Sequence, residues 1–294
     1  MKKILLTGGS GFIGRNIKES YLSQKYEIVA PRSSELNLLD TDNVDIFFAN
    51  KQFDVVLHAA VKPGHRNAKD PANLFYSNVR IFENLERHKD KFGKFINFGS
   101  GAIYDISKDI SNVKEEDIFL HVPKDEHGFC KYTVAKQIEN LDNFVDLNIF
   151  GIFGKYEDWK IRFISNAICK ALYGLPITIR QNRKFSYLWI EELMPILEYF
   201  IENKSQYKSY NIVPDKKSCL LDLAKLVRDI SGRNIEIEVA KEGMGLEYNG
   251  NNQRLKDEFK NIIFTDLKIA IEKLYSYYEA NRNIIDKNKL KHDK

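Results

Sequence analysis

Residues 3–14 of the chain read KILLTGGSGFIG, an apolar run that passes directly into a glycine-rich loop. The run predicts a buried β-strand, and the amphipathic stretch 12–24 predicts a helix immediately after it. Gly8, Gly11 and Gly14 lie at the junction, and the second glycine of the loop also opens a G-x-G-x-x-G pattern. Such glycines permit a tight turn, let backbone approach a pyrophosphate and let the helix pack against the strand. The stretch therefore predicts a dinucleotide-binding α/β domain.

The start of the predicted helix gives a second reason to expect a nucleotide. Phe12 and Ile13 open this helix, so their N–H groups have no partner within it and carry the partial positive charge of a helix start. Phosphate groups bind at such starts. A glycine-rich turn without a ligand is the alternative, but the order strand, loop, helix favours binding.

The first half of the chain alternates strand and helix patterns, which predicts a parallel sheet covered on both faces. The near-continuous apolar run 53–60 is typical of a central parallel strand. We therefore expect a doubly wound Rossmann domain at residues 1–150. Its other expected elements are strands at 26–30, 94–100 and 145–154, helices at 42–50 and 72–90, and a helix that carries Tyr132 and Lys136.

The second half predicts a smaller α/β domain at 151–285, which would bind the substrate, and a basic tail at 286–294. The boundary near 150 is soft, and we expect that the chain can cross back near 185–200. Both halves together give an α/β fold class with one large and one small unit.

Three local patterns define elements of the second half. Gly232 is expected to end a helix in the left-handed conformation, and 235–239 predicts a strand with one exposed face because its apolar residues alternate. Thr265 is expected to cap a final helix. The apolar face of that helix comprises Leu267, Ile271, Leu274 and Tyr278.

Composition narrows the class of protein. The chain has 45 basic and 41 acidic residues, a net charge of +4, and the excess collects in its last residues, so no basic stripe for nucleic acid is seen. It has no run of 18 apolar residues and no signal-peptide core, so we expect no membrane partner. Cys130, Cys169 and Cys219 lack metal-ligand spacing. We expect a cytoplasmic protein with reduced thiols and no metal.

The residues after the second strand indicate which dinucleotide binds. An acidic residue there would hold a ribose hydroxyl, but the sequence places Arg32 near that point, and a guanidinium suits a 2′-phosphate. We therefore expect NADPH, with NADH less favoured; the alternative is that Arg32 points into solvent. Asp40 is placed either to accept a hydrogen bond from the adenine amine or to cap the next helix.

Tyr132 and Lys136 are four residues apart, so a helix would place them on one face. A tyrosine holds its proton at neutral pH and releases it reluctantly. An ammonium about 4 Å from a phenolate stabilises it by about 4 kcal/mol at an effective dielectric constant near 20, before desolvation opposes the effect. The pair is therefore interpreted as a general acid and the cation that strengthens it.

The order of these motifs resembles the extended short-chain dehydrogenase/reductase family. The likeness covers the glycine loop, the strand that ends in Ala59 and Ala60 at the cofactor, the segment GSGAIY at 99–104, and the Y-x-x-x-K pair. It implies that Ser100, Tyr132 and Lys136 are catalytic and that Lys136 also binds the nicotinamide ribose. It implies that Asn78 supports the substrate site, although simple packing or capping is an equal alternative for Asn78.

Departures from the family pattern narrow the reaction. Gly101 and Ala102 follow the serine where nucleotide-sugar dehydratases carry an Asp-Glu pair, which disfavours dehydration. Several segments, among them RSSELNLLDTDNVDIFF, resemble the GDP-fucose synthase subfamily. Ala102, however, replaces the cysteine that epimerisation requires there, and residues 154–168 contain no histidine. The resemblance therefore implies the reduction step for this chain but not the epimerisation step.

The resemblance also implies residues that bind a nucleotide sugar. Arg183 and Arg254 match basic positions that contact the diphosphate, for which bidentate guanidinium groups are suited. Lys62 and His65 follow the strand at 53–60, at the edge where an α/β sheet binds its ligand.

Together these features predict an NADPH-dependent C4 reductase of a nucleotide-linked 4-keto-6-deoxy hexose or heptose in surface polysaccharide synthesis. GDP is the favoured nucleotide, with CDP or dTDP as alternatives, and the family habit implies a homodimer. Two other functions remain open: a nucleotide-sugar 4-epimerase that retains NAD, and a non-catalytic sensor of the dinucleotide. Loss of Tyr132 or Lys136 would mark the sensor, and both are present.

Overall fold

The computed structural model of the chain describes residues 1–64 and 72–290. Its strands, β1 to β14 in chain order, are Lys3–Thr7, Glu27–Val29, Phe53–His58, Phe92–Ser100, Ile110–Val113, Phe144–Ile149, Gly151–Phe153, Ile177–Asn182, Lys184–Phe185, Tyr187–Trp189, Ser209–Ile212, Ser218–Cys219, Ile237–Met244 and Tyr248–Gly250. Its helices, α1 to α10, are Phe12–Glu19, Leu22–Lys25, Thr41–Phe48, Leu74–Glu86, Glu126–Ile138, Phe163–Leu172, Leu193–Glu202, Leu220–Ser231, Gln253–Glu258 and Leu267–Ala280.

A six-stranded parallel sheet forms the centre of the molecule, in the spatial order β2-β1-β3-β4-β6-β11. Helices cover both faces. In β1, Leu5 packs with residues of α3, α4 and α5, whereas Ile4 and Leu6 pack on the opposite face with residues of α1, α6 and α7. This is the predicted doubly wound Rossmann fold. The strand order reverses at β1, so a crevice for a ligand opens between the carboxyl ends of β1 and β3.

The chain returns to this sheet after residue 150. β10 pairs with β7, α7 follows, and β11 then adds the sixth parallel strand beside β6. The remaining strands form a four-stranded sheet in the order β12-β9-β14-β5 and a separate parallel pair of β8 and β13. Because α6, α8 and α10 share one apolar core with the face of the sheet that α7 covers, the two halves pack as neighbours along a continuous interior.

Several predicted elements differ from those observed, each for a local reason. The helix expected at 12–24 is interrupted, because the Ser20 hydroxyl donates to the Ile17 carbonyl oxygen at 2.8 Å and ends α1. The strand expected at 235–239 begins at Ile237 and is exposed along nearly its whole length. Gly232, in contrast, ends α8 with φ of +63°, which confirms that prediction.

The predicted cap of the last helix was wrong by one residue. Asp266, not Thr265, caps α10, since its carboxylate accepts a hydrogen bond from the Lys268 N–H at 2.9 Å. The Thr265 N–H is instead bonded to the carboxylate of Glu192. The predicted apolar face is correct, with Ile271, Leu274 and Tyr278 buried in the core.

Candidate active site

The glycine loop has the close packing that its sequence predicts. Gly8 adopts φ of +70°, and the Gly11 N–H donates to the Gly8 carbonyl oxygen at 3.0 Å. A Cβ atom on Gly8 would lie 2.6 Å from the Ala60 nitrogen, and one on Gly14 would lie 2.3 Å from the Gly8 oxygen. A side chain at either glycine would therefore separate α1 from the ends of β1 and β3.

The start of α1 fits a phosphate. The helix begins at Phe12 after an extended Gly11, and within the described residues no side chain caps it. Its first N–H groups, including that of Ile13, therefore remain to bind an anion. Ala59 and Ala60 form the facing wall, because their N–H groups donate to the carbonyl and hydroxyl oxygens of Thr7 at 3.3 and 3.2 Å. The crevice fits the pyrophosphate of a dinucleotide.

The segment after β2 continues this crevice. A Cβ atom on Gly9 would lie 2.8 Å from the Cβ atom of Ala30, so β2 ends directly beside the glycine loop. Two residues later Arg32 is exposed, and its N–H donates to the carboxylate of Glu35 at 2.8 Å. The nearby acidic group thus closes a turn, while the guanidinium is left accessible. Asp40 caps α3 by accepting from the Asn43 N–H at 3.1 Å, so its predicted adenine contact stays a prediction.

Tyr132 and Lys136 lie one turn apart on α5, as the spacing predicts. The Asp125 carboxylate caps this helix by accepting from the Gly128 N–H at 2.8 Å. A Cβ atom on Gly128 would lie 2.6 Å from the Ala102 carbonyl oxygen, so α5 approaches the turn after β4 to within backbone contact. Gly128 thereby brings the helix beside the strand end that carries Ser100.

Ser100 ends β4 at the carboxyl edge of the sheet. Its hydroxyl oxygen accepts a hydrogen bond from the Ala102 N–H at 3.2 Å, and the side chain is half-buried. Because the oxygen is held by this bond, the hydroxyl proton can donate to a substrate oxygen. Ser100 thus ends β4 next to the turn that the start of α5 contacts, and the same helix carries Tyr132 and Lys136.

Sequence reasoning missed Phe119, which contacts both side chains of the predicted acid pair. Its ring meets the Tyr132 ring edge-on, with centroids 5.4 Å apart, and the Lys136 ammonium lies 4.5 Å from its centroid. Phe119 comes from a segment without hydrophobic periodicity, so no pattern in the sequence pointed to it. Gly128, also missed, could have been found as a glycine one turn before the tyrosine.

A buried row of polar residues crosses the sheet beneath the site. Thr7, His58, Asn97, Asp146 and Ser209 occupy matching positions on five neighbouring strands. The Thr7 hydroxyl lies 2.8 Å from His58 Nδ1, and the Asn97 amide donates to the Asp146 carboxylate at 2.7 Å. Burial lowers the pKa of His58 to about 3 and raises the pKa of Asp146 to about 6. The row therefore holds a neutral imidazole at neutral pH.

Two of the predicted substrate residues, Asn78 and Lys62, hold the loop that follows β3. Asn78 is buried on α4 and clamps the loop after β3, since its amide exchanges hydrogen bonds of 2.7 and 3.0 Å with the backbone of Lys62. Lys62 Nζ donates to the Ala72 carbonyl oxygen at 2.5 Å. Asn78 thus supports the loop after β3, and its predicted role at the substrate site stays a prediction. His65 lies outside the described residues.

The two predicted arginines differ in their surroundings. Arg183 follows β8, and its guanidinium lies 4.8 Å from the centre of the Phe185 ring. Arg254 donates to the Ser209 carbonyl oxygen at 3.1 Å and pairs with the carboxylates of Glu115 and Glu116. Ser209 is level with Asn97, three residues and about 10 Å before Ser100 along the strands. The Arg254 guanidinium holds the turn that carries Glu115 and Glu116, and its diphosphate contact stays a prediction.

Neither a membrane span nor a metal centre is found in the described ranges. No helix within residues 1–64 and 72–290 is long and apolar enough to cross a bilayer. The same residues contain no group of three His, Cys, Asp or Glu side chains arranged to hold a metal ion.

Comparisons with known proteins agree with this geometry. GDP-L-colitose synthase of Yersinia pseudotuberculosis is 22% identical over 307 residues, covering 96% of this chain and 99% of that protein. GDP-L-fucose synthase of Azorhizobium caulinodans is 28% identical over 171 residues, covering 53% and 54%. A GDP-mannoheptose C4 reductase from Campylobacter jejuni, solved with NADP bound, superimposes with a TM-score of 0.80 at 20% identity, covering 95% and 98%.

One family model matches most of the sequence. It describes the NAD dependent epimerase/dehydratase family and aligns with residues 4–213, a range that includes the glycine loop, Ser100 and the Tyr132–Lys136 pair. The chain therefore belongs to the NAD dependent epimerase/dehydratase family.

Proposed function

We propose that the chain is an NADPH-dependent reductase acting at C4 of a GDP-linked 4-keto-6-deoxy sugar, a hexose or a heptose. The observation that supports the proposal is the close approach of α5, which carries Tyr132 and Lys136, to the turn that follows Ser100 at the carboxyl end of β4. The names of the similar proteins support the substrate class, since those reported above are a GDP-colitose synthase, a GDP-fucose synthase and a GDP-mannoheptose reductase.

Each catalytic side chain has one role in this reaction. A bound NADPH supplies the hydride that C4 receives. Ser100 donates a hydrogen bond to the carbonyl oxygen, on which negative charge develops. Tyr132 gives its phenolic proton to that oxygen, and the Lys136 ammonium stabilises the phenolate that remains. Lys136 would also bind the ribose of the nicotinamide, as its place one turn after Tyr132 allows.

NADPH is preferred because of the charge at the end of β2. The Glu35 carboxylate is engaged by the Arg32 N–H, while the Arg32 guanidinium is exposed. A guanidinium binds a 2′-phosphate through two parallel hydrogen bonds, whereas a carboxylate would repel it. A solved relative of the same fold holds NADP, which supports the same choice.

The surroundings of the serine support reduction without epimerisation. Ala102 has no acid or base function. Cys130 is buried, its thiol donates to the His127 carbonyl oxygen at 3.1 Å, and burial raises the pKa of the thiol. Cys130 is therefore a poor proton carrier for a sugar carbon.

We propose further that the protein is a cytoplasmic homodimer that pairs through α4 and α5. Tyr76 on α4 is 63% exposed and Phe129 on α5 is 39% exposed, and Phe129 stacks on Phe75 of α4 at 4.9 Å. Large apolar rings side by side on two adjacent helices are suited to a second copy of the same surface.

The proposed function is tested with NADPH, D₂O and 4-keto-6-deoxy sugar nucleotides that carry GDP, CDP or dTDP. We expect oxidation of NADPH, followed at 340 nm, with the GDP sugars, and a product without deuterium at C3 or C5 by NMR. Deuterium at those carbons would indicate epimerisation. Protein that purifies with stoichiometric NAD and interconverts C4 epimers without consuming NADPH would contradict the proposal and indicate a 4-epimerase.

A further inference from the structure

Phe119 contacts both Tyr132 and Lys136, the two side chains of the predicted acid pair. The Lys136 ammonium is 4.5 Å from the centre of its ring, within the range of a cation–π interaction. The Tyr132 ring meets the same ring at an interplanar angle of 83°, the edge-to-face geometry that aromatic pairs prefer. One ring therefore contacts the acid and its cation together.

This contact matters because Lys136 is otherwise poorly fixed. Its side chain is exposed, and a lysine has a flexible four-carbon stem with many rotamers. Two other charged groups on or next to α5 are engaged elsewhere: Lys131 Nζ donates to the Phe98 carbonyl oxygen at 2.7 Å, and Asp125 caps the helix. Lys136 is one turn from Tyr132 on α5, and its contact with Phe119 limits where its ammonium lies.

The segment that carries Phe119 is itself held rigidly. Glu115 is buried, and its carboxylate accepts a hydrogen bond from the Asn211 N–H of β11 at 2.7 Å. The Lys114 N–H donates to Asp117 at 2.9 Å, and Ile118 is buried beside the ring. Arg254, bound to Glu115, fixes the same turn from the outside. Phe119 is therefore anchored to the central sheet and not to a loose loop.

We propose that Phe119 is a positioning residue that fixes the Tyr132 ring and the Lys136 ammonium relative to each other. In this role it acts through Tyr132 and Lys136, both of which it contacts. The inference rests on the proposed function insofar as Tyr132 is the proton donor. Its first consequence, a change in the pH at which the Tyr132 phenolate forms, is independent of any substrate.

The first measurement is a titration of phenolate absorbance at 295 nm. The wild-type chain, Phe119→Leu and Phe119→Tyr are each titrated beside a partner that also carries Tyr132→Phe, so that each difference reports one phenolate. In Phe119→Leu the Tyr132 phenolate should form about half to one pH unit higher, because the ammonium leaves the vicinity of the phenol. Phe119→Tyr keeps a ring face and should match the wild type.

The second measurement is kcat against pH with NADPH and a sugar that the wild type reduces. Phe119→Leu should lower kcat about three- to thirtyfold, move the alkaline limb of the profile upward and leave KM within about twofold. Leu120→Ala, an exposed neighbour on the same segment, should change neither quantity. A Phe119→Leu protein that folds and titrates like the wild type would overturn the proposal. So would a Phe119→Tyr protein as impaired as Phe119→Leu.

These outcomes separate the two proposals. A wild type that oxidises NADPH with no sugar of the panel counts against the reductase alone, since the titration at 295 nm still decides the role of Phe119. Conversely, the wild type could reduce a sugar while the Phe119→Leu substitution leaves the titration of Tyr132 unchanged. That result would support the reductase and rule out the positioning role of Phe119.

Discussion

At the scale of single residues, the site depends as much on small side chains as on reactive ones. Gly128 lets α5, which carries the proposed proton donor Tyr132, touch the Ala102 carbonyl oxygen beside the end of β4. In the same way, Gly8 lets the glycine loop touch the backbone of Ala60. Glycine is required at both places because a Cβ atom would meet backbone atoms, which cannot rotate away.

Gly8→Ala tests this requirement at the cofactor. The new Cβ would lie 2.6 Å from the Ala60 nitrogen, and a φ of +70° is strained for alanine. We expect a loss of about 1–3 kcal/mol in the free energy of unfolding and a loss of NADPH binding by titration calorimetry of more than tenfold. Gly232→Ala, also at positive φ but without a neighbour within 4 Å, should lower stability and leave NADPH affinity unchanged. Equal NADPH affinity in Gly8→Ala and the wild type would contradict the account of the loop.

Glu157 predicts a dependence of stability on pH. Its carboxyl is buried, accepts a hydrogen bond from the Ser165 hydroxyl at 2.6 Å, and has its pKa raised by burial from 4.5 to about 8. Between these pH values the folded chain holds a proton that the unfolded chain has lost. Stability from this group is therefore complete below about pH 4.5 and falls as pH rises to 8, by up to about 1.4 kcal/mol per unit.

Urea unfolding from pH 5 to 8 measures this slope. In Glu157→Gln, which keeps the shape and can still bond Ser165, this part of the slope should disappear, so the variant gains stability relative to the wild type as pH rises. Glu242→Gln, at an exposed position of β13, should leave the slope unchanged. A Glu157→Gln slope equal to that of the wild type would show that Glu157 ionises normally.

At the scale of elements, the sequence predicts the central strands and helices well because their apolar patterns are long. The runs of β1, β3 and β4 are buried on both faces, and the helix with Tyr132 and Lys136 has a capping aspartate at its start. Errors occur where one polar side chain decides a boundary: Ser20 ends α1 early, and Asp266 replaces Thr265 as a cap. Such choices depend on which hydrogen bond is made, which residue type alone does not determine.

Asp125, the cap of α5, is expected to affect both the stability of the protein and its activity. Asp125→Ala removes the acceptor of the Gly128 N–H and should lower the free energy of unfolding by about 0.5–2 kcal/mol. Because Gly128 sets the approach of α5 to the turn after Ser100, we also expect kcat to fall about threefold or more. Asp266→Ala removes the matching cap of α10 and should cost similar stability with unchanged kcat. Equal kcat values for Asp125→Ala and Asp266→Ala would show that the cap of α5 does not affect catalysis.

At the scale of the whole molecule, features that depend on the pairing of distant strands escape sequence reasoning. The polar row of Thr7, His58, Asn97, Asp146 and Ser209 becomes visible only when five strands are set in register. Arg254 has a contact that its residue type does not predict, because the packing of α9 on β11 brings its guanidinium to Glu115. The proposed catalytic residues follow from local motifs in the sequence, whereas Phe119 contacts Tyr132 and Lys136 from a separate segment.

The proposed dimer is a property of the same scale. Phe129→Glu places a charge within the apolar surface of α4 and α5, where pairing would desolvate it. We expect the wild type to sediment as a dimer in analytical ultracentrifugation and Phe129→Glu as a monomer. Ile263→Glu, at a residue 84% exposed elsewhere, should remain dimeric. A wild type that is monomeric at micromolar concentration would contradict the assignment of this surface.

The central claim is that Tyr132 gives the proton when a ketone is reduced, and one comparison tests it most directly. NADPH oxidation by Tyr132→Phe is measured with a GDP-linked 4-keto-6-deoxy sugar, beside NADPH binding by the same protein. General acids contribute about 10²- to 10⁴-fold, so we predict that kcat falls by at least about a hundredfold while the dissociation constant of NADPH stays within about threefold. A Tyr132→Phe protein that binds NADPH and turns over at the wild-type rate would contradict the account.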